Sequence, residues 1–83
     1  MSKNEMKCLC DKLGVGLGEM GAKTRCSEIT LQDIERAGCT SGNADDCLEF
    51  YRKALSGKKG GLAAQSRVNL FERIVEILQS KGP

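Results

Sequence analysis

Cys47, Phe50, Tyr51, Ala54 and Leu55 recur at three- and four-residue spacing, the mark of a helix with one apolar face. Asp45 and Asp46 stand where its first turn favours negative charge, and Arg52 and Lys53 where its last turn favours positive charge. With Asn43 or Ser41 as cap and Ser56-Gly57 as stop, the pattern predicts a helix over 43–55.

A shorter helix precedes it, over 30–37. Thr30 is the N-cap, and Asp33, three residues on, completes a capping box. Ile29 and Ile34 have the spacing of a hydrophobic staple, and Leu31, Ile34 and Ala37 make one apolar edge. Gly38 stands at the left-handed position that ends a helix, and Cys39 follows where a residue packs back on the last turn. The polar turn Thr40-Ser41-Gly42-Asn43 joins the two helices into a hairpin around which the chain is organised.

Two further helices flank this hairpin. Met6, Leu9, Cys10 and Leu13 share one face of a helix over 3–13, capped by Ser2 or Asn4 and stopped by Gly14. Val68, Leu70, Phe71, Ile74, Val75, Ile77 and Leu78 give a helix over 64–81 a wide apolar stripe. It contains two seams, one through Phe71, Ile74, Val75 and Leu78, the other through Leu70, Ile74 and Ile77. A hairpin and one short helix offer too little surface to cover both. Leu70, Ile74, Ile77 and Leu78 are therefore the expected interface with a partner protein or a second copy of the chain. The competing reading places the whole stripe in the chain's own core.

The stretch 14–23 has no such pattern. Its glycines predict a flexible loop after the first helix; a broken helical extension through Leu13, Leu17 and Met20 is the costlier alternative, at roughly 0.5–1 kcal/mol per interior glycine. Gly16-Leu17-Gly18-Glu19-Met20-Gly21 fits G-x-G-x-x-G, but no buried strand precedes it, and Ala22 separates Gly21 from Lys23 where a phosphate loop would join them. The expected fold is all-α: a single domain over 1–83 with four helices.

Composition limits the core. A chain of 83 residues buries only about 60–65% of its unfolded surface, and Phe50, Tyr51 and Phe71 are its only aromatic residues. Such cores are often supplemented by metal, disulfides or a partner chain. The net charge is +2, from 13 basic and 11 acidic residues with signs interspersed, which is not the footprint of a nucleic-acid or anionic-membrane binder. The first eight residues have no signal-peptide core, and no run approaches the ~20 apolar residues of a membrane span, so a cytoplasmic protein with reduced thiols is expected. The five cysteines cannot all pair with one another.

Chemistry enters last. The chain lacks histidine, the usual base at neutral pH, and Asp45-Asp46 is explained by helix capping, so no catalytic residue is assigned. Cys8, Cys10, Cys26, Cys39 and Cys47 could supply a zinc or iron–sulfur site. Only one short spacing, Cys8-x-Cys10, is present, and residues two apart on a helix point about 200° apart. The cysteines therefore read first as small hydrophobes; if metal is bound, Cys26, Cys39 and Cys47 bracket the hairpin and are the ligands. A helix-turn-helix DNA reader is a further alternative. It is disfavoured because Asp45, Asp46 and Glu49 would face phosphate, although Lys58 and Lys59 could act from the following loop. The expectation is thus a small cytoplasmic interaction or regulatory module without catalytic activity or cofactor.

Overall fold

A 20-residue helix, Gly61–Ser80, is about 30 Å long and sets the long dimension of a molecule measuring 36 × 21 × 21 Å. The structure is a computed structural model and describes residues 2–15, 19–57 and 61–80. Among these the architecture is all-α, with five helices and no strand: α1 (Lys3–Lys12), α2 (Glu19–Glu28), α3 (Leu31–Arg36), α4 (Ser41–Ser56) and α5 (Gly61–Ser80). The spine α5 packs against α4 and α2, with a smaller contact to α3.

The helix ends follow local chemistry. At α1, Ser2 Oγ accepts from the Glu5 amide (3.1 Å) and Glu5 Oε1 accepts from the Ser2 amide (3.3 Å), a complete capping box. At α3, Thr30 and Asp33 form the expected box, at 3.3 and 3.1 Å. The cap of α4 is Thr40, whose hydroxyl accepts from the Asn43 amide at 3.1 Å; the helix thus begins two residues before the expected 43. Thr40 serves because it is the last extended residue before the helix, at φ −98°, ψ 167°.

Gly14 (φ 81°) and Gly38 (φ 73°) end α1 and α3 in the left-handed region. Gly38 donates to Glu35 O and Cys39 to Ile34 O; Gly14 donates to Asp11 O and Val15 to Cys10 O. Both ends are Schellman closures, and each places a buried residue, Cys39 or Val15, back against its helix.

The expected four-helix count is corrected by α2, which occupies part of the glycine-rich stretch and continues to Glu28. EMGAKTRCSE has no apolar stripe, so periodicity gives no signal there. What holds the helix is its neighbours. Ala22 is fully buried, on a helix packed against α5, and Arg25 is anchored on both sides. A small side chain lets two helices approach closely, so here Ala22 marks packing. Residues 16–18, with half of the G-x-G-x-x-G match and the suggested extension through Leu17, lie outside the described residues, as do Lys58, Lys59 and the end at 81–83.

One core unites the helices. Met6, Leu9, Cys10 and Leu13 of the first helical face are buried, as are Ile29 and Ile34 of the staple, and Leu70, Phe71 and Ile74 of α5. Ala44 and Leu48 join Cys47 on the inner face of α4. Among the described residues no helix is long and apolar enough to cross a membrane.

Candidate functional site

The four residues expected at an interface divide into two pairs. Leu70 and Ile74 are 0% exposed, which corrects the expectation that a folded monomer offers them to a partner. Helix α2, which packs against α5, is an element the expected four-helix count left out. Ile77 and Leu78 remain half-exposed near the end of α5, beside half-exposed Val75.

The cysteines also sort by environment, and none is in a disulfide. Cys8 is exposed and Cys10 buried, as their positions on one helix require. Cys10, Cys39 and Cys47 lie in one core and close enough for each charge to be felt by another. Burial pushes the Cys39 thiol up to about 11 and the Cys47 thiol to about 12, with Cys10 adding to both. The Cys10 thiol is also raised by burial, partly offset by its Tyr51 hydrogen bond and by Arg67. All three are protonated near neutrality. Of the bracketing set, Cys39 and Cys47 are buried with Cys10, while Cys26 is half-exposed on α2. Among the described residues no three Cys, Asp or Glu side chains converge as a metal site.

Arg25 is the main polar junction. Its Nε donates to Leu13 O (3.0 Å), beyond the end of α1, and one terminal nitrogen donates to Asp33 Oδ2 (3.0 Å) in the α3 capping box. The two Thr30 hydrogen bonds, with help from Arg25, hold the Asp33 carboxyl below its ordinary 3.8. This arrangement ties three helices together.

The concave surface lies elsewhere. A groove of about 370 Å³ runs between α1 on one side and α4 with α5 on the other. Met6, Cys10 and Val15 form its floor, with Phe50 and Tyr51 on the facing wall. The chain's aromatic rings meet in series here: Phe50 stands edge-on to Tyr51 (centroids 5.1 Å, 80°), and Tyr51 stacks on Phe71 (6.0 Å, 14°). Arg67 lies 5.9 Å over the Tyr51 ring, and the Tyr51 hydroxyl is 3.7 Å from Cys10 Sγ. Burial, with Cys10 alongside, raises the Tyr51 phenol, so it too stays protonated. The rim carries Lys3, Lys7 and Arg67 against one carboxylate, Asp11.

Sequence reasoning named Cys10, Phe50 and Tyr51 as packing residues and passed over Lys3 and Lys7 as a rim. The lysine spacing of one helical turn was the available signal; that α1 lies across α4 and α5 was not. On the outer surface Asp45, Asp46 and Glu49 of α4 are exposed, an acidic face where a DNA reader needs a basic one. Comparison of the chain with family models, with curated proteins and with solved structures finds no match.

Proposed function

We propose that this chain is a small protein-interaction module without catalytic activity, and that its partner docks in the groove between α1 and the α4–α5 pair. The observation that carries the reading is the groove itself: an apolar and aromatic lining under a polar rim, the usual make-up of a binding surface. Its potential nucleophiles argue against chemistry. The Cys10 thiol and the Tyr51 phenol are both pushed toward the protonated form, and the sequence supplies no histidine to deprotonate them. We place the protein in a reducing compartment such as the cytoplasm, because Cys10, Cys39 and Cys47 pack as small hydrophobes.

A second reading, self-association through the end of α5, is favoured by the half-exposed Val75, Ile77 and Leu78. Leu70 and Ile74 behind it are closed off.

Site-specific photocrosslinking in the native host tests the reading. A photoreactive phenylalanine analogue at Phe50 is expected to trap a discrete partner, whereas the same group at exposed Gln32 on α3 is not. Equal trapping from both positions, or none from Phe50, contradicts the groove as the working surface.

A further inference from the structure

We infer that the groove's occupant is an acidic amphipathic helix of another protein; this deepens the proposed function and rests on it. Lys3 and Lys7 are exposed on α1 one turn apart, about 6 Å along its axis. Neither has an ion-pair partner among the described residues, where the ion pairs are made by Arg25, Arg52, Lys53 and Arg73. Arg67 adds a third positive charge from the opposite wall, and Asp11 is the sole carboxylate lining the groove among the described residues. Cations thus stand on both edges of an apolar trough.

The ligand that complements this arrangement has an apolar stripe flanked by carboxylates at one-turn spacing. An α-helix with glutamates at i and i+4 repeats the Lys3–Lys7 interval, and its apolar stripe covers Phe50 and Tyr51. From Lys3 to Asp11 the trough follows α1 for about 12 Å, just over two turns of such a helix. Among the described residues the chain has no strand whose edge could pair with an extended peptide. A nucleic acid would match the charges and leave the apolar lining unused.

The test uses the full chain labelled with nitrogen-15 and two synthetic amphipathic peptides sharing a leucine stripe, one flanked by glutamates and its twin by glutamines. The glutamate peptide is expected to bind at least about tenfold tighter at low salt, and to shift amide resonances along α1 and around Phe50, Tyr51 and Arg67. Lys3→Glu with Lys7→Glu is expected to abolish that preference while leaving the helical spectrum intact, since acidic side chains suit the first turns of α1. Lys23→Glu with Arg36→Glu changes the net charge equally at exposed sites outside the groove and is expected to keep it. Equal binding of the two peptides, with shifts in the groove, overturns the acidic partner and leaves the groove reading standing. Loss of the preference in both double variants reduces it to overall charge and also overturns the inference. Absence of groove shifts with either peptide at millimolar concentration overturns both.

Discussion

Arg25 joins three helices through polar contacts. One guanidinium donates to the carbonyl beyond the end of α1, pairs with Asp33 at the start of α3, and belongs to the last turn of α2. The pH dependence follows from Asp33. Its folded carboxyl titrates below the ordinary 3.8, so the stability it adds is full above that value and is lost as pH falls through the lower folded value. Asp33→Asn keeps an oxygen for capping and removes the charge. Its melting temperature is expected to lie below wild type at neutral pH, and to converge with it as pH falls below the ordinary carboxyl range. Thermal melts across that range check this; a gap that persists undiminished would show that the charge is not the source.

At the scale of elements, the telling helix is α2. Ala22 is 0% exposed on a helix that packs on the spine, so there is no room for a longer side chain. Ala22→Leu is expected to destabilise the fold by about 1–3 kcal/mol, read as a shift of the urea midpoint. An unchanged midpoint would mean that α2 is not seated on α5. How much was legible beforehand depends on the kind of signal. Thr30, Asp33, Gly38 and the Ile29–Ile34 staple are local chemistry, and they appear where the sequence places them. The face Met6–Leu9–Cys10–Leu13 is periodicity, and it too is core. Helix α2 has neither signal; Ala22 and Arg25 acquire meaning only through α5, Leu13 and Asp33, contacts distant in sequence. The same gap misplaced Leu70 and Ile74, because counting the helices available to cover α5 left one out. The groove was illegible for the same reason: Lys3 and Lys7 become a rim only when α1 lies beside Tyr51 and Arg67.

For the whole molecule, the question is how so short a chain stays folded and still has surface to offer. Every helix contributes to one core, and three buried thiols fill it where larger apolar side chains might have been. Placing thiols there keeps them protonated and confines the exposed polar chemistry to the surface. The principal rival gives those thiols a metal to hold. A native mass spectrum of the full chain, purified without chelator and compared with a non-reducing denatured spectrum and a thiol count, separates the two most directly. The expected result is a metal-free 9.0 kDa monomer with five free thiols. Extra native mass matching zinc or an iron–sulfur cluster, lost on denaturation, would contradict it and make the cysteines ligands of a metal-held scaffold.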